Sequence, residues 1–535
     1  MKKRNDKMPL PAPPAGKNLV DRRLALALLS GLALTLAFPP TGLWFLGWVG
    51  LAPILLAVRG VSGKRAFGLG MTMGLAHFLS LTYWVETVMR VYGHLPIFAS
   101  VPVTLLLCAY LALYPALFAF LYSRADAKSP AFAAAAAPAF WVALEYARAH
   151  LVTGFPWALL GYSQGPRLWV IQAADLSGVY LISGLLVLTN AALALFATRL
   201  AGKRLAGSRL PSRGAVAGLC LAALALLGAD LVYGKYRLAQ VDALAAGAPC
   251  MKVAVLQGNV DQTVKWDPAY QAGTVDLYSG LSAQAAEDGA ELIIWPETAL
   301  PFYFGYNLPL SRQVRETARQ TRAWVLAGSP GFVRDNGAAH LYNSAFLLDP
   351  TGDTADRYDK VHLVPYGEYV PLKDVFFFIG KLVQEVGDFS QGEKGRTLAV
   401  DKARLGVLIC YEVIFPDLGR AAARNNADLL VTITNDAWFG KSSAPYQHFA
   451  MASFRSVETR RSLARAANTG ISGFVGPGGR VLAATGLFVP AQRTASLPLL
   501  SLQTVYVRYG DFFAVACLIL AMASTAWLLL REKKE

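Results

Sequence analysis

Long apolar runs dominate the first half of this 535-residue chain and constrain its fold more than any other feature. A membrane-spanning helix needs about 20 consecutive apolar residues. Runs of roughly this kind lie at residues 24–40, 43–58, 67–89, 97–122, 130–147, 169–198, 214–234 and 512–530. The pattern predicts an α-helical transmembrane bundle of about eight spans. The first two runs are short enough to form a tight helical hairpin, and the run at 169–198 is long enough to include an interfacial start.

Loop charges predict the orientation of these spans. Lysines and arginines are concentrated before the first run, in alternate loops and after the last run, whereas the other short loops hold Arg90, Arg148 and Arg167. Basic loops stay on the cytoplasmic side. We therefore expect both termini in the cytoplasm and residues 235–511 outside it. The basic start, without a small-residue cleavage site, predicts a retained first span rather than a signal peptide.

Composition excludes several other classes. Charged residues make up only 16% of the chain, as in membrane proteins, so the net charge of +15 does not indicate nucleic-acid binding. The five cysteines are scattered, with no disulfide framework and no metal-type spacing. No phosphate-binding glycine loop is present either, and we predict no cofactor and no metal.

Between about residues 248 and 500 the pattern changes to that of a soluble module. Predicted strands at 252–256, 291–295, 324–328, 343–348, 405–410, 428–434 and 471–475 alternate with predicted helices at 270–288, 312–322, 417–426 and 446–466. Such alternation predicts a layered α/β domain. The predicted divisions are a cytoplasmic start at 1–23, a bundle at 24–234, the α/β domain at 235–511, a last span at 512–530 and a tail at 531–535.

Two aromatic loops interrupt this module, at residues 301–306 and 375–380. One interpretation is that they pack into the core of the domain. In a domain held beside a bilayer, the alternative is a lid that enters the interface or contacts acyl chains.

Cys410 ends one of the predicted strands, and Tyr411 and Glu412 follow it directly. A single cysteine after an apolar strand is often an inert core residue. Its position at a strand end favours a reactive role, since strand ends open onto crevices in α/β folds. A nucleophilic thiol needs a base or a cation nearby.

Two upstream segments supply these groups. Glu297 ends the strand before it in Trp-Pro-Glu and is the candidate base, although such a carboxylate can also be a surface turn acid. Lys360 lies among strand-forming residues, where a fixed ammonium could stabilise a thiolate and an oxyanion. Glu368 is a second acid close to Lys360 in sequence. Glu, Lys and Cys in this order are the parts of thiol acyl-transfer chemistry.

This ordered set resembles the nitrilase (carbon–nitrogen hydrolase) superfamily, and the whole chain, with seven preceding spans and one following, resembles the bacterial apolipoprotein N-acyltransferase family. The resemblance covers roughly residues 24–530. It is carried by residues 257–259, Trp266, and the segments 295–298, 358–368, 410–412, 435–439 and 467–472.

The resemblance implies an αββα sandwich with Glu297 as general base, Lys360 as oxyanion stabiliser and Cys410 as nucleophile. It also implies that Trp266, Glu368, Tyr411 and Glu412 are needed for full activity, and that residues 376–378 belong to an arm over the site. The implied reaction moves an acyl chain from a membrane phospholipid, through a Cys thioester, to the α-amino group of the diacylglyceryl cysteine of an apolipoprotein. We expect a multi-pass protein of the bacterial inner membrane, with a periplasmic catalytic domain.

Two other interpretations stay open from the residues alone. The same three groups would serve a membrane-tethered amidase or nitrilase in which water replaces the lipid amine. A transporter or scaffold with an inert extracytoplasmic domain is the non-enzymatic alternative, although no paired broken spans indicate it. We expect a monomer, because the bundle is self-contained. Glu86, Glu145 and Asp175 lie in or near spans and have either packing roles or places on a lipid cavity.

Overall fold

A computed structural model describes residues 17–202, 209–335, 338–365, 367–369 and 389–532. Every predicted apolar run inside these ranges contains helix, and four helices are long and apolar enough to cross a membrane. The count of eight spans stays a prediction. The first ten helices are α1 (Lys17–Leu36), α2 (Ala52–Ala57), α3 (Gly63–Leu81), α4 (Trp84–Thr87), α5 (Ile97–Lys128), α6 (Pro130–His150), α7 (Leu168–Ile171), α8 (Ala174–Ser177), α9 (Val179–Ala201) and α10 (Arg213–Ala246).

Several predicted spans differ from the helices found, and one of them, the run at 67–89, is divided into α3 and the short α4. The run at 43–58 forms a 3-10 turn (Trp44–Trp48) followed by the short α2, so its helical part is shorter than a straight span requires. The run at 169–198 is divided into α7, α8 and α9, consistent with an irregular start. The run predicted to end at residue 234 continues as α10 to Ala246. Apolar length alone does not reveal where a helix leaves the membrane.

Small residues allow α3 and α5 to pack closely. A β-carbon added at Gly70 would lie 2.6 Å from the carbonyl oxygen of Pro115, and one added at Gly74 would lie 2.8 Å from the α-carbon of Ala112. Glycine is therefore required at both positions. Because lipid gives no hydrophobic drive for helix association, such close packing is one of the main contributions that hold membrane helices together.

The α/β module contains two six-stranded sheets. In the first the order is β12-β1-β2-β3-β4-β5, and in the second it is β11-β10-β9-β8-β7-β6. The strands are β1 (Cys250–Gln257), β2 (Leu292–Ile294), β3 (Trp324–Asp335), β4 (Ala338–Leu348), β5 (Thr354–Asp359), β6 (Thr397–Val400), β7 (Ala403–Ile409), β8 (Leu429–Thr434), β9 (Ser462–Ala467), β10 (Gly473–Val475), β11 (Val481–Ala484) and β12 (Ala491–Pro498). β1, β2 and β3 run parallel, as do β7, β8 and β9, so their carboxyl ends meet along one edge of each sheet.

The two sheets face each other across an apolar core that includes Val255, Ile294, Val407 and Val431. The helices of the module are α11 (Pro268–Glu287), α12 (Leu308–Thr321), α13 (Pro416–Arg424), α14 (Ala444–Thr459) and α15 (Val505–Tyr509), and α16 (Phe512–Glu532) closes the chain. Helices α11 and α12 cover the first sheet, and α13 and α14 cover the second. The predicted αββα sandwich is therefore confirmed.

The transmembrane bundle packs against the α14 side of the sandwich. One apolar cluster joins Trp84, Trp157 and Tyr180 of the bundle to Phe449 and Phe454 of α14. A charged junction lies beside it. There Arg460 contacts Asp175 at 2.8 Å, and Arg237 and Tyr233 of α10 donate to the same carboxylate at 2.7 and 2.6 Å. Bundle and sandwich thus share a continuous buried interface.

One helix prediction was wrong at its end. The stretch 446–466 is helical only to Thr459, turns at Arg460 with φ +56°, and continues as β9. Every residue of β9 is buried, including Arg465. A buried arginine in a strand does not produce the apolar alternation by which strands are recognised.

Candidate active site

Cys410 lies at the carboxyl end of β7, as the first residue of a 3-10 turn that runs to Ile414. Its φ of +55° is in the left-handed region, which non-glycine residues rarely occupy. Cys410 as a whole residue is 8% exposed, at the edge of the inter-sheet core. The turn lifts the side chain out of the strand direction and presents it at the edge where the parallel strands end.

Glu297 reaches the same place from the first sheet, three residues beyond β2. Its Oε1 accepts a hydrogen bond from Nδ2 of Asn343 at 2.8 Å, and its Oε2 accepts one from the backbone N–H of Asn435 at 2.8 Å. Gly328 permits this position, because a β-carbon there would lie 2.7 Å from the α-carbon of Glu297. One carboxylate is thus held by groups from both sheets.

Lys360 follows β5 directly and is 1% exposed. Its Nζ lies 2.9 Å from Oε1 of Glu368 and 3.6 Å from Oε1 of Glu297. The other oxygen of Glu368 accepts from the backbone N–H of Val364 at 2.8 Å. The ammonium is therefore fixed between two carboxylates, as required for a group that stabilises charge at one point.

Charges around the site set the protonation of the thiol and the ammonium. Burial, and then the negative charge of Glu297, raise the pKa of Cys410 well above its ordinary value, while Lys360 opposes them. Burial would lower the pKa of Lys360, but Glu368, Glu297 and Cys410 outweigh it and raise this pKa. The resting site therefore holds a neutral thiol beside a permanent cation, and ionisation of the sulfur has to be coupled to proton transfer.

Glu412 joins the nucleophile turn to the lysine segment and is fully buried. Its carboxylate accepts from the backbone N–H groups of Ile409, Val361 and His362 at 2.6, 2.6 and 3.0 Å, and from the hydroxyl of Tyr358. Burial raises the pKa of Glu412 to about 7, against the hydrogen bond from Ile409 and the charge of Lys360. The position that the resemblance singled out thus ties the Cys410 turn to the Lys360 segment.

The remaining sequence-predicted residues surround this centre. The ring of Tyr411 lies 5.9 Å from His362 and 5.2 Å from Phe415, so it forms part of an aromatic wall. Trp266 is half-buried and lines a cleft of about 320 Å³ together with Tyr303 and Tyr306. In the aromatic loop at 301–306, Phe302 and Phe304 pack into the core, as the first interpretation predicted. The loop at 375–380 lies outside the described residues.

The three acidic residues predicted to lie in or near spans each have at least one structural partner. Glu86 pairs with Arg90 at 2.8 Å, and Asp175 belongs to the charged junction described above. Glu145 accepts from the backbone N–H of Leu160 at 2.7 Å and borders a cavity of about 30 Å³. That volume suits one or two water molecules, not an acyl chain. The packing interpretation fits these three residues better than the lipid cavity.

Sequence reasoning did not predict several groups at the site. Asn343 holds both Glu297 and Glu368, and Lys265 lies buried behind Glu297. His448 lies against the carbonyl oxygen of Cys410 at 3.2 Å. Only one of these groups could have been found from the sequence: Lys265 directly precedes Trp266, a residue that the resemblance implied to be needed for activity. Within the described ranges, no group of three or more His, Cys, Asp or Glu residues could hold a metal ion.

Two facing sheets, with a cysteine, a lysine and a glutamate converging at their strand ends, define the carbon–nitrogen hydrolase class. A family model for carbon–nitrogen hydrolases matches residues 252–505, and a model for the apolipoprotein N-acyltransferase N-terminal domain matches residues 30–192. Among solved structures, an amidase from Nesterenkonia is 24% identical, with a TM-score of 0.37, over 49% of this chain and 95% of that one.

Relatives cover nearly the whole chain. An apolipoprotein N-acyltransferase of Geobacter metallireducens is 44% identical over 513 residues, which is 96% of each chain. One of Pasteurella multocida is 31% identical over 521 residues, covering 95% of this chain and 96% of the relative. The chain therefore belongs to the apolipoprotein N-acyltransferase family. It is a membrane-associated N-acyltransferase with a nitrilase-like domain.

Proposed function

We propose that this protein transfers a fatty acyl chain from a membrane phospholipid to the α-amino group of the S-diacylglyceryl cysteine at the start of an apolipoprotein. The observation that carries the proposal is the convergence of Glu297, Lys360 and Cys410 in a module joined to a membrane bundle. Family membership supports the N-acylation of lipoproteins as the overall reaction.

In the first half-reaction, Glu297 accepts the proton of the Cys410 thiol as the sulfur attacks the ester carbonyl of the phospholipid. The neutral resting thiol makes this proton transfer necessary. Lys360 stabilises the negative charge on the carbonyl oxygen of the tetrahedral intermediate. The ester C–O bond breaks, Glu297 returns the proton to the departing lysophospholipid oxygen, and a Cys410 thioester remains.

In the second half-reaction, the α-amino nitrogen of the acceptor attacks the thioester carbonyl. Glu297 takes a proton from this nitrogen, the C–S bond breaks, and the sulfur recovers a proton to restore the thiol. The buried surroundings favour the amine over water, since the described site groups are nearly excluded from solvent. Neither half-reaction consumes a nucleotide or an oxidant.

The supporting residues have distinct proposed roles. Glu368 orients the ammonium of Lys360, which it contacts at 2.9 Å. Glu412 fixes the Cys410 turn against the lysine segment through its backbone hydrogen bonds. Trp266 and Tyr411 provide aromatic surface for the lipid or acceptor at the edges of the site.

Intact mass spectrometry after incubation with phospholipid alone tests the proposal. Wild-type protein is expected to gain the mass of one fatty acyl chain, hydroxylamine is expected to remove it, and Cys410→Ser is expected to gain none. Adding a synthetic diacylglyceryl-cysteine peptide should then discharge the wild-type adduct onto the peptide amine. Absence of the adduct while phospholipid is bound would overturn the proposal and direct attention to small amides and nitriles.

We also propose that the protein lies in the inner membrane of a bacterium, as a monomer, with residues 235–511 in the periplasm and both termini in the cytoplasm. The distribution of basic loops supports this orientation. Cys250 has an exposed thiol at the start of the α/β module and is a natural reporter. A membrane-impermeant maleimide should label it in spheroplasts, and Cys250→Ser should remove the label. Labelling only after lysis would reverse the proposed orientation.

A further inference from the structure

Asn343, in the middle of β4, contacts three residues of the candidate site and is 4% exposed. Its Nδ2 donates to Oε1 of Glu297 and to Oε1 of Glu368, each at 2.8 Å. Its backbone carbonyl oxygen accepts from the backbone N–H of Lys360 at 2.9 Å. One residue is therefore bound to the candidate base, to the candidate oxyanion stabiliser and to the acid that pairs with the latter.

The amide of Asn343 and the ammonium of Lys360 share the same two acceptors. Nζ of Lys360 lies 3.6 Å from Oε1 of Glu297 and 2.9 Å from Oε1 of Glu368. These are the two oxygens to which Nδ2 of Asn343 donates, so two nitrogens and two oxygens form a closed arrangement. Two carboxylates that share one cation still repel each other. The two N–H groups of a single amide attract both carboxylates without adding a charge.

The hydrogen bonds also determine which way the amide of Asn343 points. In the opposite orientation Oδ1, which can only accept, would face both carboxylates, so Nδ2 is the atom between them. Oδ1 is then buried, and in the described part of the chain it has no hydrogen-bond partner. An unpartnered buried acceptor costs free energy that an apolar side chain of similar size would avoid. The two donors of the amide, and not its packing, therefore explain an asparagine at this position.

We propose that Asn343 is a positioning residue for acyl transfer, which holds Glu297 and Glu368 against Lys360. The base and the ammonium then keep one relative position while charge develops on Cys410 and on the carbonyl oxygen of the substrate. The role requires no contact between Asn343 and a substrate, because its effect passes through Glu297 and Lys360. The inference rests on the proposed function, in which these two residues act.

Single-turnover acylation separates positioning from lipid binding. Full-length protein is mixed with equimolar phosphatidylethanolamine and phosphatidylglycerol in detergent micelles, and the acyl adduct is followed by intact mass over a range of lipid concentrations and pH values. Asn343→Leu removes both donors. Asn343→Asp keeps the size of the side chain and replaces the donors by a carboxyl group, which can donate only when it is protonated. Asn425→Leu and Asn425→Asp make the same changes at an exposed asparagine of the module.

We expect Asn343→Leu to form the adduct about 100-fold more slowly, since small displacements of groups that act on reacting atoms have effects of this size. The lipid concentration that gives half the maximal rate should stay unchanged. Asn343→Asp should be equally slow at alkaline pH. As the pH falls, the two neighbouring carboxylates favour protonation of the introduced carboxyl group, which can then donate again. The ratio of its rate to the wild-type rate should therefore rise about tenfold toward acidic pH, as expected for one recovered hydrogen bond.

Both Asn425 variants should keep the wild-type rate. A wild-type rate in Asn343→Leu, or a higher half-saturating lipid concentration with an unchanged maximal rate, would overturn the inference. A rate ratio for Asn343→Asp that does not change with pH would overturn it as well. If Asn343→Leu does not fold, Asn343→Asp decides, because its side chain has the same size and one protein is compared with itself at different pH values.

The wild-type adduct distinguishes this inference from the proposed function. A wild-type protein that forms the adduct, while both Asn343 variants acylate at the wild-type rate, would leave the proposed function intact and remove only the role of Asn343. A wild-type protein that forms no adduct would remove the proposed function, and the role of Asn343 with it.

Discussion

The indole of Trp157 stacks on the imidazole of His448, with ring centroids 5.6 Å apart and planes 26° from parallel. Trp157 belongs to the bundle, and Nε2 of His448 lies 3.2 Å from the carbonyl oxygen of Cys410. Burial and the charge of Arg465 lower the pKa of His448, so the ring is neutral. A carbonyl oxygen can only accept, so Nε2 donates to Cys410, while Nδ1 lies 2.9 Å from the guanidinium of Arg465 and 3.1 Å from the carboxylate of Asp436. Two aromatic rings therefore connect the bundle to the Cys410 turn.

Replacing His448 by phenylalanine should slow thioester formation about tenfold, because the strained Cys410 turn loses the donor to its carbonyl group while the stack on Trp157 is retained. Single-turnover acylation measured by intact mass would show the change. His340→Phe alters an exposed histidine and should leave the rate unchanged. Wild-type kinetics in His448→Phe would contradict a positioning role for the ring.

Replacing Lys360 by methionine should abolish detectable thioester formation and lower the free energy of unfolding by about 3 kcal/mol. The substitution leaves Glu297 and Glu368 as neighbouring buried carboxylates without their shared cation. Acyl-adduct formation and thermal unfolding in detergent measure the two effects. Lys394→Met removes an exposed partner of Asp417 and should affect neither. A stable Lys360→Met protein that still forms the adduct would disprove the role of the ammonium.

As the pH rises from about 4.5 to 7, the free energy of unfolding of the wild-type protein should decrease relative to that of Glu412→Gln. The folded-state pKa of Glu412, about 7, lies above the ordinary value of 4.5. Between these values the unfolded chain has released the proton and the folded chain retains it, so the contribution to stability is complete below pH 4.5 and lost by about pH 7. Melting temperatures across this range measure it. The exposed Glu393→Gln variant should run parallel to wild type throughout, and a constant difference between wild type and Glu412→Gln would contradict the prediction.

Replacing Arg460 by methionine should destabilise the protein by about 3 kcal/mol, because it removes one cation from the buried carboxylate of Asp175. Arg480→Met breaks a 3.6 Å pair with Asp242 in which both side chains are more than half exposed, and should cost less than about 1 kcal/mol. Thermal unfolding of both variants gives the comparison. Equal losses of stability in the two variants would show that the charged junction adds nothing to the stability of the interface.

Replacing Gly70 by alanine should lower the melting temperature, since the added methyl group meets the backbone of α5 and overpacking costs about 1–3 kcal/mol. Gly68 lies in the same helix, and an added β-carbon there meets nothing within 4 Å. Gly68→Ala should therefore be neutral or stabilising by about 1 kcal/mol. A melting temperature for Gly70→Ala at or above that of Gly68→Ala would be inconsistent with close packing of α3 on α5.

The elements that could be predicted are those whose buried residues form a recognisable pattern within a short stretch of sequence. The αββα class and strands such as β1, β7 and β8 followed from short apolar runs, and α11 and α12 from their helical composition. Five strands were not among the predicted ones: β5, β6, β9, β11 and β12, although the strand-forming residues around Lys360 include the end of β5. β6 and β11 are short, β12 is only partly buried and contains polar residues, and β9 contains a buried arginine whose partner, Asp436, is distant in sequence.

The site was predictable only in part for a similar reason. Glu297, Lys360 and Cys410 each follow a strand and have a recognisable local context. Lys265, Asn343 and His448 acquire their meaning only through contacts with residues far along the chain. No periodicity encodes such contacts. The roles of all these residues, and the domain boundaries, stay predictions for the experiments above.

Helix α10 has 34 residues and is therefore about 51 Å long, whereas the hydrocarbon core of a bilayer is about 30 Å thick. When α10 crosses the bilayer, about 20 Å of it extends beyond the hydrocarbon core, and the helix ends four residues before β1. In the proposed topology, α10 and the buried junction around Asp175 set the distance between the sandwich and the hydrocarbon core. The proposed acyl transfer then takes place at a distance from the hydrocarbon core that the length of one helix determines, and the ester group of a phospholipid has to reach that plane.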